Sequence, residues 1–295
     1  MTLFRADARF KHLQMLLLLG TAAGIWVAAP AAAAENLRES LLFHAAFDGK
    51  TEADVAAGDA SLYTEVAKDS VHAGLHRQDV TIAKAAGRYG DALRFGKKRG
   101  PMLFYQAAKN MGFDEQDWSG TVSLWLSLDP DQDLEPGYCD PIQITDKSAL
   151  DASIFVEFSK DHTPRRFRLA VCPEFKEWNP EDREWESIPV DERPLVEVQD
   201  PPFAGGKWTH IAVTFENFNS GQKNAVAKLY LDTKLQGVVQ NRNQHYIWDE
   251  SKARIKLGLA YIGLFDDLSV FNRPLTADEI KTLYELDGGV KSLGQ

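Results

Sequence analysis

Apolar and polar residues alternate in short runs along most of the chain, and this pattern is typical of β-strands with one buried face. Between residues 121 and 128 every second side chain is aliphatic, so one face would pack into a core while Trp125 covers the other face. Most runs end at Gly, Pro, Asn or Asp, which favour turns. The pattern predicts strands at residues 41–47, 92–95, 121–128, 142–145, 154–158, 167–172, 208–215, 226–231, 235–239, 255–258 and 264–271.

One stretch near the C-terminus has a helical pattern instead. Thr276 and Glu279 have the spacing of a capping box, in which each side chain satisfies a backbone N–H at the start of a helix. Ile280 and Leu283 begin an apolar stripe, and Gly288 provides a stop. The sequence therefore predicts an all-β protein, a two-sheet antiparallel sandwich with one short C-terminal helix.

A proline-rich segment interrupts the strands at about residues 173–202. Its many charged residues are accompanied by Phe175, Trp178 and Trp185, and we interpret it as a long excursion from one edge of the sandwich. Exposed aromatic rings pack against the C–H faces of sugars and equally against another protein. The alternative is that these aromatic residues fold back and anchor long loops. The aromatic residues considered for ligand binding are Phe175, Trp178, Trp185, Tyr246 and Trp248.

The first 34 residues have the segment order of a secretory signal peptide. Three basic residues precede an apolar run, and a stretch of small residues ends in an Ala-x-Ala pattern at Ala34. We therefore predict cleavage before Glu35 and a domain over residues 35–295, in a secreted, periplasmic or cell-envelope protein. The alternative is an uncleaved N-terminal anchor, because the apolar stretch is about long enough to cross a bilayer.

The charge of the chain limits its partners. The sequence has 33 basic and 43 acidic residues, and without the leader 30 basic residues remain against 42 acidic ones, a formal net charge of −12. A polyanion would be repelled, so we exclude nucleic acid as a partner.

The chain has two cysteines, Cys139 and Cys172, which is too few for a small disulfide-rich scaffold. Both flank predicted strands, and export would place them in an oxidising compartment. Two alternatives stay open at this point: a Cys139–Cys172 disulfide, or two unpaired thiols of which one is buried.

Several short motifs occur in a fixed order: FDG at 47–49, GRYGDALRF at 87–95, the strand of Trp125, WTHIAVTF at 208–215, KLYLD at 228–232 and GLFDDLSVFNRPLT at 263–276. Each motif alone is weak, but the ordered set resembles a LamG-like jellyroll domain of the concanavalin A-like lectin/glucanase superfamily over roughly residues 41–286. The resemblance implies a jellyroll sandwich, with extracellular polysaccharide or cell-surface glycan as the partner.

The resemblance also implies a calcium site. Many such domains bind calcium through acidic residues early and late in the chain, which here match Asp48 and Asp267, with Asp266 as a further candidate. Calcium takes roughly six to eight oxygen ligands, so backbone carbonyls would have to contribute. The alternative is that Asp48 belongs to a turn and Asp267 hydrogen-bonds the backbone between strands.

The sequence contains no recognised catalytic pattern. Glucan-cleaving members of the superfamily usually carry Glu-x-Asp-x-x-Glu on one strand face, and the two partial matches, at Glu52 and Glu115, lack the third carboxylate. Zinc-protease and serine-hydrolase motifs are also absent from the sequence. We predict an exported, non-catalytic module that binds carbohydrate. The alternatives are a structural or adhesive protein-binding domain of the envelope, and a glycoside hydrolase or lyase with a non-standard site.

Overall fold

The computed structural model describes residues 28–294 of the chain. In this part of the chain the helices are α1 (Ala28–Ser40), α2 (Pro130–Asp133), α3 (Phe175–Trp178) and α4 (Ala277–Glu285), with short 3-10 turns at Lys109–Met111, Trp185–Ser187, Val190–Glu192 and Val290–Gly294. The strands are β1 (Leu41–Ala45), β2 (Val55–Ala56), β3 (Tyr63–Ala67), β4 (Ser70–Ala73), β5 (Val80–Ala83), β6 (Ala92–Phe95), β7 (Met102–Gln106), β8 (Trp118–Ser127), β9 (Cys139–Thr145), β10 (Ser153–Phe158), β11 (Phe167–Cys172), β12 (Leu195–Val198), β13 (Trp208–Phe218), β14 (Ala225–Leu231), β15 (Lys234–Arg242), β16 (Arg254–Leu259) and β17 (Gly263–Phe271).

The strands form two antiparallel sheets. The first sheet has nine strands, with β15-β14-β13-β8-β17-β1-β2 in order and β6 and β5 attached beside β17. The second sheet has eight strands in the order β12-β11-β10-β9-β16-β7-β3-β4. Many neighbouring strands are far apart in sequence, as in a jellyroll. The predicted fold class, a two-sheet antiparallel sandwich with a short C-terminal helix, is confirmed.

The core lies between the sheets and is filled by alternate side chains of each long strand. On β10, Ile154, Val156 and Phe158 belong to this core, whereas Glu157 between them points to the other side of the sheet. At one end of the core Trp118 is fully buried among aromatic rings. Each sheet therefore has an inner face in the core and an outer face that another element or solvent must cover.

Helix α4 covers the outer face of the first sheet. Its predicted capping box is present, because the Thr276 side chain accepts from the Glu279 N–H while Glu279 bonds back to the Thr276 N–H. Ile280 and Leu283 are buried against the sheet, and Tyr284 stacks on Trp125 with ring centroids 5.2 Å apart. Helix α4 thus occupies this part of the outer face of the first sheet.

Sequence patterns predicted the long strands but missed the short ones. The turn between β14 and β15 is a two-residue hairpin turn, in which Asp232 and Thr233 take the left-handed φ values of 45° and 70° that such a turn requires. The strands missed were β2 to β5, β7 and β12, and the helices missed were α1 to α3. The short edge strands carry few alternating apolar residues, and β12 lies inside the proline-rich segment.

Of the two alternatives left open for the cysteines, the structure has the unpaired thiols, and both Cys139 and Cys172 are free and buried. Cys139 pairs with Phe158 and Cys172 pairs with Ser153, so the cysteines flank opposite ends of β10. At about 3.3 Å per residue this places them roughly 16 Å apart along the strand alone. A disulfide needs Cα atoms within about 7 Å of each other.

The predicted leader lies largely outside the described residues, and its cleavage stays a prediction. Helix α1 runs across the expected cleavage position, and Leu37, just after that position, is fully buried in the cluster that includes α4. Of the helices within residues 28–294, none is both long enough and apolar enough to cross a membrane.

Candidate functional site

The outer face of the second sheet carries a cluster of charged side chains. Asp140 on β9, Glu157 on β10 and Arg168 on β11 alternate with core residues and therefore point away from the core. Glu157 and Arg168 are direct cross-strand partners. The register of three neighbouring strands thus assembles one polar group on this face.

Arg168 is the centre of this group and is only 3% exposed. One terminal nitrogen of its guanidinium lies 2.6 Å from a Glu157 carboxylate oxygen, and the other lies 3.9 Å from Glu197. The guanidinium also lies over the Tyr138 ring, 4.9 Å from its centroid. Its Nε has no hydrogen-bond partner among the described residues. A buried donor without a partner is costly and marks a place where a bound polar group would fit.

Burial changes the acidity of the two carboxyl groups. Burial raises the pKa of Glu157 to about 8, although the adjacent Arg168 charge acts in the opposite direction. Burial also raises the pKa of Asp140 to about 6. A hydrogen bond of 2.8 Å from the Gln143 amide acts in the opposite direction and lowers this pKa. A carboxyl that keeps its proton near neutral pH donates a hydrogen bond as well as accepting one.

The proline-rich excursion is anchored beside this cluster by its aromatic residues. Trp178 packs against the small apolar cluster around Phe155 and donates from its indole N–H to the Leu150 carbonyl at 2.9 Å. Trp185 packs edge-on against Trp178 with ring centroids 6.1 Å apart, and the Arg193 guanidinium lies over its ring. The excursion therefore holds Trp185 at the edge of the charged cluster.

Between the excursion and the neighbouring loops lies a groove, which we call the outer-face groove. It consists of two cavities of about 290 Å³ and about 550 Å³ that share Tyr138 and Asp140. Tyr138 is 39% exposed, which leaves part of the residue open to solvent. The smaller cavity is lined by Tyr138, Asp140, Ala149, Leu150, Phe155, Glu157, Arg168, Trp185 and Glu186. The larger one is lined by Arg77, Lys98, Arg99, Gly100, Met102, Tyr138, Asp140, Gly258, Leu259 and Ala260.

The structure separates the aromatic residues that the sequence had grouped together. Trp185 lines the groove, whereas Phe175 and Trp178 are half-buried in the anchoring of the excursion. Ligand binding by these three stays a prediction.

The prediction that Tyr246 and Trp248 present exposed rings to a ligand is wrong. They are 1% and 5% exposed and belong to the core. The Tyr246 hydroxyl donates to the Ser153 carbonyl at 3.2 Å and the Trp248 N–H to the Ala152 carbonyl at 2.7 Å. Both rings also pack against Trp118. The segment that carries Tyr246 and Trp248 folds back into the sandwich because both rings are buried there and their polar atoms form hydrogen bonds.

The three carboxylates predicted to bind calcium are held by other partners. Asp48 accepts from the Asp91 N–H at 2.9 Å and from the Lys291 ammonium at 3.0 Å. Asp267 lies 2.7 Å from the His44 ring, and Asp266 accepts from the backbone N–H groups of its neighbour and of a nearby turn. Within the described part of the chain no three His, Cys, Asp or Glu side chains are placed to hold a metal ion. As placed, the carboxylates do not fit calcium, and the prediction requires a rearrangement that frees Asp48.

Sequence reasoning missed Tyr138, Asp140, Glu157 and Arg168. A usable signal was present, since Glu157 and Arg168 each interrupt an otherwise apolar or small-residue strand. A single charge in such a run is expensive to bury unless it is paired. The opposite signs of the two charges therefore hinted at a pair, but only the strand register identifies the partners.

The two antiparallel sheets define a β-sandwich, and the family comparison agrees with this fold. The Laminin_G_3 family model, of the concanavalin A-like lectin/glucanases superfamily, matches residues 105–281, which is more than half of the chain. The chain therefore belongs to this family. No curated protein matches the sequence.

Solved structures share the architecture at low sequence identity. Domain 4 of AbnA, an extracellular arabinanase from Geobacillus stearothermophilus in complex with arabinotriose, is 17% identical with a TM-score of 0.52, over 83% of this chain and 98% of that one. The receptor binding domain of a botulinum neurotoxin C/D mosaic is 12% identical with a TM-score of 0.56, over 84% of this chain and 51% of that one. The serotype D ligand binding domain in complex with N-acetylneuraminic acid is 11% identical with a TM-score of 0.54, over 86% and 52%. This chain thus spans about half of the toxin chains, and at these identities the likeness establishes the fold alone.

Proposed function

We propose that the protein is a non-catalytic carbohydrate-binding module that holds its ligand in the outer-face groove. The observation that carries this proposal is the combination of aromatic and buried polar groups in one open groove. Tyr138 and Trp185 line the smaller cavity together with Glu157 and Arg168. Aromatic rings suit the apolar C–H face of a sugar, and charged or polar side chains suit its hydroxyl groups.

The state of Arg168 supports this assignment. Its Nε has no partner among the described residues, while its terminal nitrogens are engaged by carboxylates. Sugar hydroxyls both donate and accept hydrogen bonds, so a small adjustment of the side chain on binding would supply the missing acceptor. The solved complexes with arabinotriose and N-acetylneuraminic acid show carbohydrate bound to proteins of similar fold, which favours the same class of ligand here.

A glycan array followed by calorimetric titration of the bound oligosaccharide tests the proposal. Trp185→Ala and Tyr138→Ala should each weaken binding by about tenfold or more, because each removes an aromatic surface that a sugar would cover. Phe175→Ala is the matched control, since Phe175 is half-buried in the same excursion but does not line the groove. Equal loss in all three variants, or no loss in any, would contradict a binding site in the groove.

A second candidate is a glycoside hydrolase or lyase, and one observation favours it. Asp140 and Glu157 lie on adjacent strands, line the same cavity and both have a raised pKa. Carboxyl pairs with such environments act as acid and base in glycosidases. Release of reducing ends or of unsaturated sugars from a polysaccharide panel, abolished in Glu157→Gln, would establish catalysis. Wild-type protein that binds a polysaccharide without cleaving it would exclude catalysis on that polymer.

Export is part of the proposal and rests on the sequence of the leader. Its basic, apolar and small-residue segments and the Ala-x-Ala pattern before Glu35 support secretion or retention in the envelope. N-terminal sequencing of the protein from a cell fractionation tests this. A mature chain that begins at Glu35 outside the cytoplasm is expected, and an intact leader on cytoplasmic protein would contradict export.

A further inference from the structure

The two cavities of the outer-face groove differ in charge. The smaller one is lined by Asp140, Glu157 and Glu186 against a single base, Arg168. The larger one has three basic residues in its lining and one acidic residue, which is again Asp140. The groove is therefore acidic at one end and basic at the other, although the chain as a whole carries a formal net charge of −10.

The basic end is formed by a loop with three consecutive basic residues, Lys97, Lys98 and Arg99, between β6 and β7. We call residues 97–99 the basic loop. In the part of the chain that the structure describes, none of the three forms a salt bridge with a carboxylate. This run of basic residues lies beside the larger cavity, which Lys98 and Arg99 line. Its positive charge is available to a ligand.

A buried side chain holds the basic loop in place. Arg77 is 3% exposed and forms a salt bridge with Asp79 at 2.9 Å. The same guanidinium donates to the Lys97 carbonyl at 2.9 Å. At Gly100 an added Cβ would lie 2.4 Å from the Arg77 Nε, so the loop backbone lies directly against the guanidinium. The contacts with buried Arg77 therefore fix the position of the basic loop independently of any ligand.

Lys98 connects the basic loop to the aromatic part of the groove. Its ammonium donates to the Pro136 carbonyl and lies next to Gly137, immediately before Tyr138. Tyr138 lines both cavities. A ligand that covers the Tyr138 ring therefore has one end near Lys98 and Arg99 and the other end near Trp185.

We propose that the groove selects glycans that carry an anionic group, a carboxylate or a sulfate, with this group placed against Lys98 and Arg99 and a neutral sugar ring between Tyr138 and Trp185. This inference rests on the proposed carbohydrate-binding function. The unpaired basic side chains lie at one end of the groove, so their attraction for the anionic group also sets the direction in which the glycan lies.

Matched ligand pairs test the inference by calorimetric titration. The first pair is tetragalacturonate and its methyl ester, and the second is a sulfated galactose tetrasaccharide and its unsulfated form. In at least one pair the anionic member should bind about tenfold more tightly at low salt, and the difference should shrink as salt is added. The pair that shows the difference identifies the anionic group.

Variants link that difference to the basic loop. Lys98→Gln/Arg99→Gln should abolish the preference for the anionic member, so that the two members of the pair bind with equal affinity. Arg94→Gln is the control, because Arg94 is exposed on the first sheet and does not line the groove. Equal affinity within both pairs, with binding lost in Trp185→Ala, would overturn the inference and leave the proposed function standing. Binding of no glycan, on the array or in these pairs, would overturn both.

Discussion

Replacing Arg168 with methionine would separate the charge of this residue from its bulk. Methionine keeps most of the aliphatic stem but removes the guanidinium that lies 2.6 Å from Glu157. With Glu157 only 7% exposed, the variant would leave a buried carboxylate without its closest cation. Breaking one partner of such a pair costs about 3–5 kcal/mol of unfolding free energy when the remaining group is charged.

The cost of this substitution should depend on pH, and the sign follows from Glu157. Burial raises the pKa of Glu157 from its ordinary 4.5 to about 8, so the folded state holds this proton more tightly than the unfolded state. The stability from this group is complete below about pH 4.5 and is lost as pH rises towards 8. Removing Arg168 raises the pKa of Glu157 further and extends that loss to higher pH. The Arg168 charge also lowers the pKa of Asp140, so removing Arg168 raises the pKa of Asp140 as well.

Urea unfolding followed by far-ultraviolet circular dichroism at pH 5 and pH 9 measures the effect. We expect Arg168→Met to cost about 1 kcal/mol or less at pH 5, where Glu157 is protonated, and about 1.4 kcal/mol more at pH 9, one pH unit above the Glu157 pKa of about 8. Adding Glu157→Gln should recover most of the loss at pH 9, because no buried carboxylate then lacks a partner. An equal cost at both pH values, or no recovery in the double variant, would refute the assignment of Glu157 as the unpaired group.

Three further outcomes follow from the structure. Trp248→Phe removes the N–H that donates to the buried Ala152 carbonyl and should cost about 1–3 kcal/mol in urea unfolding without weakening glycan binding; weakened binding at unchanged stability would return Trp248 to the ligand site. Cys139 and Cys172 should both react with a thiol reagent in the unfolded, unreduced protein, and an absence of reactive thiols would contradict their separation. With Asp48 held by Lys291, the melting temperature should be the same in excess chelator and in millimolar calcium, and a rise in calcium would support the sequence-based metal site.

The features that the sequence predicted well depend on local patterns. The strand around Trp125 follows from alternation alone, and α4 follows from the capping box between Thr276 and Glu279, because each involves residues close together in the chain. The family motifs added the order of these elements. Short edge strands such as β2 and β4 have too few alternating apolar and polar residues to be recognised in the sequence. They form because they pair with a neighbouring strand.

The groove could not be predicted because it depends on contacts between distant segments. Glu157 and Arg168 meet only because β10 and β11 pair in one register, and a shift of one residue would place the two side chains on opposite faces of the sheet. Trp185 and Trp248 both lie in irregular connections, yet one lines the groove and the other is buried. Their different positions follow from the path of each connection over the sandwich, which residue type alone does not reveal.

A crystal structure of the protein with the best oligosaccharide from the glycan array tests the central claim most directly. We expect density for a sugar ring in the outer-face groove, packed against Tyr138 and Trp185 and hydrogen-bonded to the cluster around Arg168. Density on the first sheet, at a sheet edge or anywhere else outside this groove would contradict it.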